Sequence, residues 1–210
     1  RKLQHIAKRL VTLGHQVSVM GFDEIPCSMS DAGVAVKMLV PSRNKGILRL
    51  IDNRRIVRRH LLELIRNDGV NLVEFQDGYA HLMPLKLPVP TVVRCSCSHS
   101  YYARVLGHKP HPARAWLERR LIPRATAHAA CSRFVGDISA ELFKLDPKQV
   151  RVLYNPIELE EFPKAPSIDI EPGLIVFVGS VYWVKGVFEL ITAFELVLET
   201  HPYAKLIFVG

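Results

Sequence analysis

LIVFVGSVYWVKG, residues 174–186, decides the fold. It opens with an unbroken apolar run, Leu174 to Val178, short and rich in Val, Ile and Phe. That is the pattern of a strand buried on both faces. Gly179 breaks the run. Beyond Lys185-Gly186, Phe188, Leu190, Ile191, Phe194, Val197 and Leu198 recur at helical spacing. After His201-Pro202 a second apolar strand runs from Leu206 to Val209. Strand, glycine turn, lysine, helix and strand make one βαβ crossover.

The chemistry sits at the turn. In open α/β sheets, ligands bind beyond the carboxyl ends of the strands. A glycine there lets the backbone come close to a ligand. The free N–H groups and dipole of the next helix favour an anion. Lys185 adds a mobile positive charge, and a diphosphate suits that mouth. The plainer alternative is that Gly179 only turns the chain and Lys185 only faces water.

Working outward, 210 residues that are 49% hydrophobic and 23% charged describe a globular chain with enough length for a proper core. No apolar run approaches the ~20 residues of a membrane span. Residue 1 falls inside a helical pattern and Gly210 just after a strand, so the chain reads as a fragment. Four cysteines, Cys27, Cys95, Cys97 and Cys131, lack disulfide spacing and point to a reduced, cytosolic chain. Lys and Arg number 28 against 20 Asp and Glu. The excess clusters between Arg43 and Arg66 and again between Arg104 and Arg124. Such patches attract phosphates, on nucleic acid, on an anionic membrane or on a small substrate; otherwise they are solvated helix faces.

Upstream, Leu3, Ile6, Ala7, Leu10 and Leu13 mark a helix face that Gly14 stops. Strands are expected from Val17, over Val34–Val40, Asn71–Phe75, Thr91–Arg94, Ala127–Cys131 and Val150–Leu153. Helices are expected over Ile47–Arg66, Pro112–Arg124 and Arg133–Lys144, the last capped by Ser132. In the first of these, Arg54 and Arg58 project to the same side as Val57 and Leu61. Either the helix overhangs the core there or the arginines meet an anion. Gln76, Asp77 and Gly78 stand at a strand's carboxyl end. RCSCSHSYY, residues 94–102, reads as a polar loop at another. Cys95, Cys97 and His99 alternate, but the spacing is not a usual zinc pattern and no fourth ligand is evident. Ile157 to Gly173 reads as an interdomain linker. Strands alternating with helices give a doubly wound parallel sheet. There is no D-x-D pair, no G-x-G-x-x-G and no P-loop.

Four segments carry a family resemblance. LVTLGHQVSVM resembles the "L-x-x-x-GH-x-V-x-V" segment near the start of family 4 glycosyltransferases, and WLERRLIPRATAHAACS resembles their "lE…l…Ad…i…S" stretch. VRVLYNPIELEEF resembles the segment before their interdomain linker. FVGSVYWVKGVFELITAFELVLETHPYAKLIFVG resembles the "vGr…KG…L…A…P…L…vG" opening of their second domain. The resemblance implies a GT-B fold of two Rossmann-like domains. Residues 1–156 would be the acceptor-side domain, 157–173 the linker and 174–210 the start of the nucleotide-sugar domain. It implies retaining transfer of a sugar from a nucleotide-sugar co-substrate, with no cofactor and no metal. Gly179, Ser180, Lys185 and Gly186 would hold the donor diphosphate, Lys185 matching the family's lysine. Ser180 stands where the family usually has Arg. Ser96 falls where many relatives place a catalytic-site His, with His99 three residues later, so these two are the candidates on that side. Asp77, Gly78 and Arg94 would line the acceptor cleft.

The expected partners are the donor, a sugar, lipid-linked or other small acceptor, and an anionic membrane surface, but no nucleic acid. The expected location is the cytoplasm, at the inner face of the membrane. As a fragment the chain is expected to lack transferase activity by itself. A GT-B epimerase or phosphorylase would share the architecture, and a non-enzymatic phosphate- or nucleic-acid-binding module would explain the charge.

Overall fold

The computed structural model describes residues 2–159 and 170–210. The chain divides into two compact units, Arg1–Glu158 and Leu159–Gly210.

The first unit starts with α1 (Lys2–Thr12), stopped as the sequence predicts by Gly14 at φ 89°. β1 (Ser18–Phe22) then pairs in parallel with β3 (Val34–Leu39), whose other side carries the antiparallel β2 (Cys27–Asp31). The β2–β3 hairpin turns on Ala32 and Gly33, at φ 49° and 82°. Positive φ at both central residues is the two-residue hairpin geometry whose twist matches the strands. At Gly33 a Cβ would also come within 2.9 Å of the Val11 side chain on α1. The sequence reading missed β2, because Cys-Ser-Met-Ser-Asp holds no β-branched or aromatic residue.

α2 (Gly46–Asn67) leads to a second sheet of four parallel strands: β4 (Val73–Gln76), β5 (Thr91–Cys95), β6 (Ala127–Ala130) and β7 (Val150–Val152). Their spatial order follows their chain order. The expectation of one parallel sheet is corrected: among the described residues, β1 and β3 hydrogen-bond apart from these four, and β2 runs against them. The α/β class holds, and the unit is a Rossmann-like domain. Its core gathers Val93, Cys95, Leu117, Leu121, Ile122, Val135 and Phe143. α2 adds Val57 and Leu61, which meet Val73 and Leu82. Arg54 neither overhangs nor meets an anion: its Nη2 donates to the Met83 carbonyl at 2.9 Å. Burial of that guanidinium lowers its pKa.

Three more helices complete the unit: α3 (His99–Leu106), α4 (Pro112–Leu121) and α5 (Arg133–Phe143). Ser132 caps α5 as expected, its Oγ accepting from the Val135 N–H at 3.2 Å. α3 corrects the sequence reading, which left residues 94–102 as loop. Ser98 Oγ accepts from the Tyr101 N–H at 3.0 Å, and Gly107 ends the helix at φ 70°.

The linker expected over residues 157–173 lies for the most part outside the described residues. In the second unit β8 (Leu174–Val178) and β9 (Lys205–Val209) pair in parallel around α6 (Val187–Thr200), the crossover read from the sequence. Phe177 and Phe208, paired in register, bring their ring centroids to 5.5 Å. Burial on both faces, expected of β8, is not what the structure shows. Val178 is 77% exposed, because one helix covers only one face of a two-stranded sheet. No described helix is long and apolar enough to cross a membrane.

Candidate functional site

The carboxyl ends of β4 and β5 bring together most of the first unit's candidates. Arg94 is buried, and its Nε and Nη2 donate to the two carboxylate oxygens of Glu74 at 2.7 and 3.0 Å. Register places Gln76 opposite Arg94, so Glu74 is its diagonal neighbour on the same sheet face. Two-pronged pairing occupies the guanidinium fork. Arg94, expected to line an acceptor cleft, ties β5 to β4.

Asp77 is likewise turned inward, with 0% of its surface exposed. It opens the short 3-10 turn Asp77–Leu82. Its Oδ2 accepts from the N–H groups of Ser96 at 2.9 Å and Ser98 at 2.8 Å. Its Oδ1 accepts from Gly78 at 2.9 Å, and both oxygens share the Cys97 N–H at 3.0 and 3.1 Å. Burial pushes the Asp77 carboxyl up, and the four amides pull against it. Gly78 serves the same packing: a Cβ there would stand 3.3 Å from the Cys97 carbonyl oxygen.

A second buried carboxylate takes up where Asp77 stops. Glu118, on α4 and 1% exposed, accepts from the N–H of His99 at 2.7 Å, the N–H of Ser100 at 2.9 Å and the Ser100 hydroxyl. A carboxylate at the first turn of α3 also meets the positive end of its dipole. Five consecutive amides, residues 96–100, are therefore held by two acids from other elements. The segment is fixed in shape and spends no amide on a ligand. Sequence reading gave Glu118 no such role. The signal was present: Glu118 follows Leu117 and precedes Leu121 by three residues, which puts an acid on the inward face.

Ser96 and His99 are the side chains this clamp displays. Ser96 is half-buried, its Oγ 3.5 Å from Cys97 Sγ. His99 Nε2 accepts from the His111 N–H at 2.8 Å, which leaves Nδ1 as the ring's donor. Cys95 is fully buried and its thiol is pushed up to about 12, chiefly by burial. Among the described residues no three His, Cys, Asp or Glu side chains gather to hold a metal. His81, on the 3-10 turn, is drawn below its ordinary value of 6.5 by burial and by the nearby Arg114, against the pull of Glu118.

In the second unit the β8–α6 turn has the backbone the sequence suggested. Gly179 sits at φ 152° and Gly186 at φ 73°, and Gly186 caps α6 without any side-chain acceptor. Both angles are glycine territory. Lys185 is exposed, and among the described residues its ammonium has no partner; Ser180 is exposed too. The acid at this turn is Glu189, whose Oε2 lies 3.9 Å from where a Cβ on Gly186 would be.

A family model described as Glycosyltransferase Family 4 matches residues 1–161. The chain belongs to that family. No curated protein matches it. The match covers the first unit, so this Family 4 domain includes the Asp77–Glu118 clamp, Ser96, His99 and the Arg94–Glu74 pair. Its general role is therefore that of a glycosyltransferase. The Gly179–Gly186 turn lies outside the matched residues.

Proposed function

We propose that this chain serves a retaining glycosyltransferase that moves a sugar from a nucleotide-sugar donor to a sugar, lipid-linked or other small acceptor. Residues 1–156 carry the acceptor side and 174–210 belong to the donor-binding domain. The observation that carries the donor half is the turn at Gly179–Gly186: two positive-φ glycines, a 14-residue helix with an uncapped N-terminus and a lysine without a partner among the described residues. Sugar transfer leaves a nucleoside diphosphate on which negative charge develops. Lys185 and the first N–H groups of α6 stabilise that charge without a metal. With Ser180 in the place of the family's arginine, Lys185 supplies the positive side chain of this turn, and Glu189 works against it. On the acceptor side, the clamped segment gives Ser96 and His99 fixed positions from which to meet the substrate.

The test is calorimetric titration with UDP, GDP and ADP, followed by a screen of nucleotide-sugars for diphosphate release by the full-length enzyme. Lys185→Ala is expected to weaken diphosphate binding about 10- to 100-fold, the worth of one hydrogen bond to a charged group. Equal affinity in the variant would overturn the assignment of this turn. Inversion at the anomeric carbon of the product would overturn retention.

A further inference from the structure

The 3-10 turn that follows β4 hides most of its residues and displays one. Asp77, Ala80 and Leu82 are buried, and Gly78 and His81 are half-buried. Tyr79, between Asp77 and Ala80, is 62% exposed. Its backbone is held on both flanks. Asp77 is fixed by the four amides it binds, and the Ala80 carbonyl accepts from the Met83 N–H at 3.0 Å. The ring is held as well: its centroid lies 6.4 Å from that of His81, with the two planes 35° apart. Burial, and then the charge of Arg114, keeps His81 below 6.5, so at neutral pH the ring beside Tyr79 is uncharged. Tyr79 is therefore a fixed, neutral aromatic plate at the carboxyl end of β4.

That place adjoins the clamped segment. Gly78 packs against Cys97, where an added Cβ would stand 3.3 Å from the carbonyl oxygen and 3.5 Å from Sγ. Tyr79 is thus one residue from the stretch that displays the Ser96 hydroxyl and the His99 ring. A single exposed aromatic is ordinary on a protein surface. What sets Tyr79 apart is an apolar plate on immobile backbone, beside a segment that carries a hydroxyl and a ring N–H donor. A pyranose has the complementary build, with a face of C–H groups and a rim of hydroxyls. An alkyl or isoprenoid chain instead requires an apolar groove around it, and the polar groups of Ser96 and His99 would lose water to it without return. Tyrosine also supplies rigid contact area with only two side-chain torsions to fix. We propose that Tyr79 is the stacking platform for a pyranose ring of the acceptor, which makes the acceptor's reacting end a saccharide. This rests on the reading of the first unit as the acceptor side, and it narrows the substrate class there. Tyr79 holds the apolar face of the sugar while Ser96 and His99 address its hydroxyls.

Saturation-transfer NMR on the full chain tests it. The probes are methyl α-mannopyranoside, methyl β-glucopyranoside and methyl β-galactopyranoside, with geranyl phosphate as the lipid control. At least one glycoside is expected to bind, with the strongest transfer on the protons of one ring face. Tyr79→Phe keeps the plate and should bind as the wild type does. Tyr79→Ser should weaken binding about 3- to 10-fold, the worth of one aromatic stack. Far-UV circular dichroism should not change, because the side chain is exposed. Undiminished glycoside binding by Tyr79→Ser would overturn the proposal. So would absence of binding by all three glycosides, or binding of geranyl phosphate with the same dependence on Tyr79. Calorimetry with UDP, GDP and ADP on the same proteins keeps the donor assignment separate. Tyr79→Ser should leave nucleotide binding unchanged, and a fall there would also count against an acceptor-side role. Absence of nucleotide binding in the wild type would remove the donor turn's assignment, while the glycoside result still decides Tyr79.

Discussion

Replacing Asp77 by Asn isolates what the buried carboxylate does. Volume and one acceptor oxygen are kept; the other oxygen becomes an NH2 group. With the amide oxygen in the Oδ2 place, Ser96 and Ser98 keep their acceptor, at 2.9 and 2.8 Å in the native protein, and Cys97 can lean to it. The Gly78 N–H, now 2.9 Å from Oδ1, then faces another donor. The opposite flip orphans both Ser96 and Ser98, so the first is preferred. One buried donor left without a partner costs about 1–3 kcal/mol. Three surviving bonds fall from charge-assisted to neutral strength, losing about 1 kcal/mol apiece. Against this, Asn escapes the burial cost that pushes the Asp77 carboxyl up. The balance is a net destabilisation of about 3 kcal/mol, which opens the segment about a hundredfold more often. Urea unfolding gives the first quantity, and hydrogen exchange at residues 96–100 gives the second. A stability change under about 0.5 kcal/mol, with Ser96 and Ser98 amides exchanging at the native rate, would refute the clamp.

Two further expectations concern titration. His81 is held below 6.5 in the folded chain, so unfolded chains bind its proton first as pH falls. Its stabilising contribution is complete above 6.5 and is lost as pH drops through the lower folded value. His81→Gln should flatten the fall in urea midpoint from about pH 7.5 to about pH 5; an equal slope in both proteins would remove His81 as the cause. Cys95, fully buried with its thiol pushed up to about 12, should resist iodoacetamide at neutral pH while the exposed Cys27 is alkylated. Native-state labelling of Cys95, read by peptide mass spectrometry, would contradict its burial.

What the sequence shows and what it hides divide along physical lines. The β8–α6 crossover was legible because apolar periodicity switches from a continuous run to helical spacing across one glycine. α5 was legible because Ser132 stands at its cap. β2 was hidden: its residues carry no strand propensity, and only its pairing with β3 makes it a strand. α3 was hidden because its polar start, Ser-His-Ser, is stabilised by Glu118, a partner 18 residues from Ser100. Long-range hydrogen bonds leave no local period. The same holds at the candidate site. Asp77 and Arg94 carry charge at strand ends, where a ligand would meet them, and one sequence gives no sign that Glu74 and four amides already claim that charge. Helical geometry alone put Arg54 on the side of Val57 and Leu61, and nothing local showed that the Met83 carbonyl would take its guanidinium.

The bond from the His111 amide to His99 has a consequence for how that imidazole meets anything else. With one nitrogen occupied by the main chain, the ring is single-sided: only the Nδ1 edge is free to address a guest, and it does so as a donor. Such a group presents a polarised N–H rather than a lone pair, so it suits an oxygen that accepts, such as a hydroxyl or phosphoryl oxygen. Turning the ring to offer Nε2 instead would require it first to let go of the peptide at 111, which links its orientation to the path of the backbone just ahead of α4.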